Sequence, residues 1–350
     1  MRSPTGGCAT AGAYGAAFQP VLERARARIL LVRVTRGPPG CVSRSVVLMS
    51  ILGALLIVGV TLTLRWGGTA YEPWSPAPMD GPPAANRAQL RMVARGYLRG
   101  VAIVLVGGFW AGALVTGPAV RLIMRLLAAT AGDGAQGLLT EAEEVVGNID
   151  LGGTIGLYLF GGIFPGLLSA ALYLLVRRWL PAGRPGGVAF GFLHLVIAAT
   201  RLDPLRPDNP DFDIVGPGWL AVLTFSLAAI FHGMAVVAIA NRYSTRFPPP
   251  TGSRAARVRT ILPLVLPALL LIPGVFLVFL LTTGLVITLV ASRVPPVVRA
   301  LRSGAAVVAG RVALAVVALA FLPGAVVDLH DVIVRDPPAA STPTAAPGSS

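Results

Sequence analysis

The chain has 350 residues, of which 55% are hydrophobic and only 13% charged, and its formal net charge is +14. A soluble domain carries about 25% charged residues, so a soluble globular class is excluded and a polytopic membrane protein is expected. All 29 basic residues are arginine. That excludes a phosphate-binding loop of the GxxxxGK[ST] type, a Schiff-base lysine and a kinase-type lysine, and it points to a GC-rich genome.

Residues 1–44 are rich in Gly, Ala and Arg without apolar periodicity. They read as a disordered basic leader or a mis-assigned start. The two cysteines, Cys8 and Cys41, lie in this segment, so no thiol, iron–sulfur or Cys-zinc site can be built among the spans that follow. The first span is predicted at 45–64, closed by Arg65 and Trp66. A signal peptide is the rival reading, because Gly68-Thr69-Ala70 resembles a small-residue cleavage site. A Pro/Gly linker follows over 67–86. Arg87, Arg91, Arg95 and Arg99 then recur every fourth residue, which sets all four on one face of a basic amphipathic lead-in at 87–99.

The core is predicted as four spans over 100–241. The second span, 100–120, overruns into a helix carrying Arg121 and Arg125 one turn apart. A polar loop fills 130–152, where Thr140-x-x-Glu143 fits a capping box and predicts a short helix over 141–146 stopped by Gly147. The third span is 153–176, kinked at Pro165, and the fourth is 186–200, short for a span. Between them lie Arg177, Arg178 and Arg184. The most polar stretch of the chain follows at 200–219. It holds Asp203, Asp208, Asp211 and Asp213 with four prolines, so a stiff irregular loop is expected rather than a helix or strand. The fifth span is 219–240, and a basic linker follows at 242–259.

The C-terminal part, 260–327, is less determinate. The apolar run 261–291 contains Pro263, Pro267 and Pro273. As one helix it would be about 46 Å long, against a hydrocarbon core of about 30 Å. It reads as one tilted span, the preferred assignment, or as a re-entrant pair broken at Ile272-Pro273-Gly274. The last span is 305–327, with Arg311 inside it. A disordered tail covers 328–350, rich in Pro, Ser, Thr and Ala from Asp336.

The arginines stand beside the hydrophobic runs, which is a positive-inside pattern and not a nucleic-acid surface. They place 87–99, 177–185 and 242–259 inside. The loops 130–152 and 200–219 then lie outside, with nine of the fifteen carboxylates as an acidic cap. Two conflicts remain. Arg24 to Arg44 and Arg65 flank the first span on both sides; a start near Met49 would resolve this. A single span over 261–291 puts Arg293, Arg299 and Arg302 outside, whereas a re-entrant pair keeps them inside and sends Asp328, Asp331 and Asp336 out.

Spans two, three and four each hold a GxxxG, at Gly108/Gly112, Gly162/Gly166 and Gly187/Gly191; small residues let helices approach closely in lipid. Candidate chemistry is sparse. Asp208, Asp211 and Asp213 offer oxygen ligands for a divalent cation, against a solvated loop paired with Arg201 and Arg206. Asp208-x-x-Asp211 and Asp328-x-x-Asp331 are similar to the DxxD pairs of membrane prenyltransferases, but Pro210 keeps the first two aspartates off a common helix face. His194 and His232 are intramembrane ionisable groups, functional candidates by type. Counted from the outer loop they lie about 9 Å and about 20 Å deep, too unequal to hold a haem between adjacent helices. The alternative is a neutral imidazole bonded to a carbonyl or hydroxyl. Arg311 needs a partner, a wet cavity or a route to the interface. Arg121 and Arg125 face the side of Glu141, Glu144 and Asp150, so they are expected to pin 130–152 as a lid. No motif requires a cofactor.

The segments RLIMRLLAAT, QGLLTEAEEVVG, IDLGGTIG, RRWLPAG and RLDPLRPDNPDFDIVGPGW, within residues 95–246, resemble a family of uncharacterised polytopic membrane proteins of actinobacteria. The resemblance implies membrane residence and no activity. The expectation is an all-α transmembrane bundle of six or seven spans in the cell membrane, in contact with lipid and with a membrane-protein partner or a second copy. Its role is transport-like or that of a scaffold component. The alternative is a membrane-embedded metal-dependent enzyme acting on a phosphorylated or lipid substrate.

Overall fold

The structure is a computed structural model that describes residues 44–73, 87–247, 258, 261–265 and 272–335. The expectations for the leader, the middle of the Pro/Gly linker, most of the basic linker and the tail from Asp336 lie outside the described residues. The chain divides into two compact units, Met1–Val47 and Leu48–Ser350. The first contributes to the described residues only the opening turn of helix α1, and the architecture below is that of the second.

The fold is all-α, and no strand forms among the described residues. α1 spans Arg44–Trp66. α2, Arg87–Ala111, runs through a π-helical turn at Gly112–Thr116 into α3, Gly117–Thr130. α4, Leu151–Tyr158, passes through a π turn at Leu159–Ile163 into α5, Phe164–Val176. α6, Arg184–Leu193, ends in a third π segment, His194–Ala199. α7 is Gly218–Ser244, α8 Ile272–Ser292, α9 Pro295–Arg302 and α10 Gly304–Val334. Among the described residues six helical runs are long and apolar enough to cross a membrane, and Arg184–Ala199 is a shorter apolar helix. The protein is thus a multi-pass membrane protein.

Proline accounts for two of the π turns. Pro118 and Pro165 each stand in the first two positions of the helix that follows a π segment. Proline brings no N–H and crowds the carbonyl four residues earlier. A turn widened to i→i+5 bonding takes up that crowding. The expected kink at Pro165 is therefore a π turn, and the 42-residue rod from Gln89 to Thr130 continues through Pro118.

Glycine sets the packing. A Cβ on Gly108 would lie 2.7 Å from the Ala170 methyl and 2.8 Å from the Gly166 carbonyl carbon. One on Gly191 would lie 2.7 Å from the Ile230 Cα. The GxxxG of α2 thus meets that of the α4–α5 run, and the GxxxG of α6 meets α7. Without a hydrophobic drive between helices in lipid, such backbone-to-backbone approach supplies the van der Waals contact that holds them. α2, α5, α6 and α7 enclose one buried cluster that includes Ile103, Val104, Tyr173, Phe190 and Val236.

The two ends of the bundle differ in charge. At one, Arg99 donates to the carbonyls of Ser244 and Phe247, both at 2.9 Å. Arg184 donates to Leu64 at 3.3 Å, and Arg178 to Leu301 at 3.0 Å. At the other, Arg201 pairs with Asp328 at 3.3 Å and Arg335 with Asp213 at 3.4 Å. The first is called the arginine end and the second the carboxylate end.

These contacts correct the preferred assignment of 261–291. Leu301 lies beside Arg178, so Arg293 and Arg299 stand at the arginine end, where Ser244 also lies. Leu264 and Leu277 both pack on the cluster of Val101, Leu105 and Leu167, and Tyr97 donates to the Leu281 carbonyl at 2.8 Å. The end of α7 and the residues after α8 thus stand at the same end, as the re-entrant alternative required, while most of the arm that would precede α8 lies outside the described residues. α10 then carries Asp328 and Asp331 to the carboxylate end, so residues 328–334 belong to this helix and not to the disordered tail expected over 328–350. The Leu64–Arg184 contact likewise puts Arg65 at the arginine end, where charge asked for it.

A second correction concerns 141–146, which form a hairpin turn and not a helix. Gly137 accepts its place with φ 88° and Gly147 with φ 88°, and Glu143 itself has φ 60°. The Val146 amide donates to Leu138 at 2.9 Å and the Gly137 amide to Val146 at 3.0 Å. Thr140 accepts from the Glu144 amide at 3.2 Å, so its hydroxyl stabilises a turn rather than a helix start. Paired glycines in left-handed conformation favour a closed turn over the helix that the capping pattern suggested.

Candidate functional site

Two polar constellations stand out, one inside the bundle and one at the carboxylate end. The inner one begins at the close-packed glycines. Along α2 the spacing of four that sets Gly108 and Gly112 on one face continues to Thr116. Along the α4–α5 run Gly162 and Gly166 lead to Ser169, and on α6 Gly187 and Gly191 lead to His194. Each small-residue face thus ends in one polar side chain, and α7 adds His232 beside Gly233.

These four side chains form one hydrogen-bonded line. Thr116 Oγ1 lies 2.5 Å from His232 Nδ1, and His232 Nε2 lies 2.7 Å from Ser169 Oγ. Ser169 Oγ lies 2.6 Å from His194 Nε2, and His194 Nδ1 lies 2.9 Å from the Phe190 carbonyl. Thr116, Ser169 and His232 are buried. The two imidazoles meet edge to face with centroids 5.3 Å apart, and Phe190 packs on His194 at 4.5 Å.

The proton positions follow from the fixed end. A carbonyl only accepts, so neutral His194 carries its hydrogen on Nδ1 and offers a lone pair at Nε2. Ser169 then donates to His194 and accepts from His232 Nε2–H. That leaves His232 Nδ1 as a lone pair, which takes the Thr116 hydroxyl proton. The Ala111 carbonyl, 3.4 Å from Thr116 Oγ1, is the more distant claimant on that proton. Every bond of the line then holds one hydrogen, an assignment made from the network. Two of the three π segments bear members of the line, Thr116 and His194, and π turns recur at functional sites.

Depth counting set the histidines apart, yet they touch. The loop after Thr200 is not a strap at the membrane surface. Leu205, Phe212 and Val215 are buried and pack with Leu127 of α3 and Phe225 of α7. Span four therefore ends deep, and α7 starts further out, its Gly218 against Val332 of α10. Fourteen residues of α7 are needed to reach the depth that His194 gains in six.

At the carboxylate end a cavity of about 540 Å³ lies between the α3 and α4 helices and the loops 130–150 and 200–217. Arg121, Arg125, Glu141, Glu144, Asp203 and Asp211 line its polar side, and Val120, Leu157 and Phe160 its apolar side. Glu141 pairs with Arg206 and not with Arg121. Arg125 reaches only the Gly147 carbonyl, at 3.5 Å. Arg121 makes no hydrogen bond or ion pair among the described residues, and its Nε is buried without an acceptor.

Burial raises Glu144, and its neighbour Asp150 raises it further, partly by a carboxyl–carboxyl hydrogen bond. The Gly153 amide, 2.7 Å from Oδ1, holds Asp150 below the usual carboxylate range. Burial likewise pushes Asp203 and Asp211 up, although Arg206 opposes it at both and the Glu141 amide opposes it at Asp211.

The three aspartates considered as cation ligands are separated. Asp208 pairs with Arg206 at 3.2 Å, Asp211 accepts from the Glu141 amide at 2.7 Å, and Asp213 pairs with Arg335. Among the described residues no group of three His, Cys, Asp or Glu side chains is placed to hold a metal ion. The loop's arginines and backbone take these carboxylates one by one. Arg311 is exposed on α10, about 10 Å along the helix from Gly304, and lines neither site. Serine and threonine escaped the sequence reading because neither is ionisable. The extension of each glycine face by one polar residue was the signal that would have found them. No family model matches the chain, and neither a curated protein nor a solved structure matches it.

Proposed function

We propose that this is a transport-type membrane protein whose bundle relays protons through Thr116, His232, Ser169 and His194. The observation that carries the reading is the unbroken line of four hydrogen-bonded side chains from four helical runs. A proton reaching His232 Nδ1 makes Nε2–H the more acidic donor. Its transfer to Ser169 is matched by release of the serine proton to His194 Nε2. The line then stands with every bond reversed between His232 and His194. Histidine suits this task because its two ring nitrogens can exchange donor and acceptor roles. In the same proposal the protein sits in the cell membrane, its arginine end faces the cytoplasm and the acidic end faces out.

Reconstitution tests it. The full chain in liposomes containing a pH-sensitive dye is given a pH gradient under a clamped potential. Wild-type protein is expected to speed proton entry over empty liposomes, and His232→Gln, which keeps a polar side chain of similar reach, to abolish the excess. Equal proton entry for wild type and His232→Gln, or none above empty liposomes, overturns the proposal.

A further inference from the structure

The cavity at the carboxylate end is lined by acids and arginines in unequal states of satisfaction. Several of its acids have partners of their own. Glu141 is held by Arg206, Asp211 accepts from the Glu141 amide, and the neighbouring Asp150 accepts from the Gly153 amide. Its arginines are left with less. Arg121 lacks any hydrogen-bond partner among the described residues, and Arg125 has one long contact to a carbonyl. Arg121 feels the charges of Asp150 and Glu144 only at a distance, with no ion pair to either among the described residues. A half-buried arginine without an acceptor is costly, and its planar fork matches a tetrahedral oxyanion better than a point donor does.

The opposite wall is apolar. Leu157 and Phe160 of the α4 run and Val120 and Met124 of the α2–α3 rod line the same cavity. Phe160 is exposed on the outside of the bundle, as are Leu151 and Ile155 on the same helical run. The cavity therefore has one charged side under the loops and one side continuous with the lipid-facing surface. Sites of this size bind ligands through a mostly apolar lining with a few converging polar groups.

We infer that this cavity binds an anionic phosphate group through Arg121 and Arg125, with any attached hydrocarbon lying along Leu157 and Phe160. The phosphate belongs to a lipid headgroup or to a water-soluble phosphate ester. This site is distinct from the histidine line and does not depend on proton transfer there.

The test uses the full chain in detergent after exhaustive lipid removal, followed by thermal unfolding. Inorganic phosphate is titrated in one arm. Short-chain phosphatidylglycerol is titrated in the other, with an uncharged short-chain diacylglycerol as reference. Wild-type protein is expected to be stabilised by one of the two phosphate probes and not by the diacylglycerol. Arg121→Gln is expected to weaken the response at least about tenfold, the worth of one charge-assisted hydrogen bond. Arg125→Gln, at an exposed position, gives the same reading should Arg121→Gln fail to fold. Arg311→Gln, remote from the cavity, keeps the wild-type response. A response to the lipid alone assigns a headgroup, and a response to inorganic phosphate assigns a soluble ester. No stabilisation by either probe, or unchanged affinity in both cavity variants, overturns the inference.

Discussion

Ser169→Ala removes one oxygen atom and breaks two hydrogen bonds. The serine lies 2.6 Å from His194 Nε2 and 2.7 Å from His232 Nε2, so the alanine leaves one imidazole donor and one imidazole lone pair unanswered inside the bundle. Leaving a buried polar group unpaired costs about 1–3 kcal/mol in a water-soluble protein, which would total about 2–6 kcal/mol. The reference state decides which scale applies. Helices separated in lipid still find polar partners, and measured bonds between membrane helices average about 0.6 kcal/mol with a maximum of about 1.7. Two bonds on that scale give about 1–3 kcal/mol, the expected loss. The assay is reversible unfolding in mixed micelles, with His232→Ala and the double variant completing a cycle. Coupling between the two sites of about 0.5 kcal/mol or more is expected, because they share a bond. A loss below about 0.5 kcal/mol with additive variants, judged against the additivity of distant sites, would refute the hydrogen-bonded line.

Two further outcomes are expected. Gly108→Ala sets a methyl 2.7 Å from the Ala170 methyl and against the Gly166 backbone, neither of which can turn aside, so α2 and α5 must separate. Stability should fall by about 1–3 kcal/mol, as for overpacking, and proton entry should fall with it; a variant as stable as wild type would contradict the close approach. The loop 200–217 should respond to pH through Asp203 and Asp211. Both are raised in the folded protein, so their stabilising contribution is full below the ordinary aspartate value of about 4 and is lost as pH rises through the raised values. Hydrogen exchange in 200–217, corrected for intrinsic rate, should therefore quicken as pH rises above about 4, and an opposite trend would refute the burial of these groups.

The class of the fold was legible because membrane spans advertise themselves by length and composition. The glycine faces were legible too, since Gly108/Gly112 and Gly162/Gly166 need only helical spacing to be recognised. The two-ended charge distribution followed from the arginines, and charge pointed rightly at Arg293 and Arg299 where the base rate for span length did not. What escaped was tertiary. The burial of Leu205, Phe212 and Val215 inside a loop rich in aspartate and proline has no local signature, and it alone shifts α7 outward against α6. The meeting of His194 and His232 depends on that shift. The turn at 141–146 was missed because Thr140 and Glu143 have two uses, and long-range contacts such as the Asp211–Glu141 bond select between them.

The π segments carry a consequence for how this bundle can move. Gly112–Thr116 and Leu159–Ile163 are each a single extra residue held within a continuing helix. Passing such a defect along the helix by one turn would swing the residues it crosses by about 100° around the axis, the angle of one residue in a 3.6-residue turn, while both helix ends stay anchored. Gly112–Thr116 sits where Thr116 joins the buried line. Migration of that defect would withdraw the Thr116 side chain from the interior and break the line at one terminus, with no tilt of the helix and no opening of the bundle.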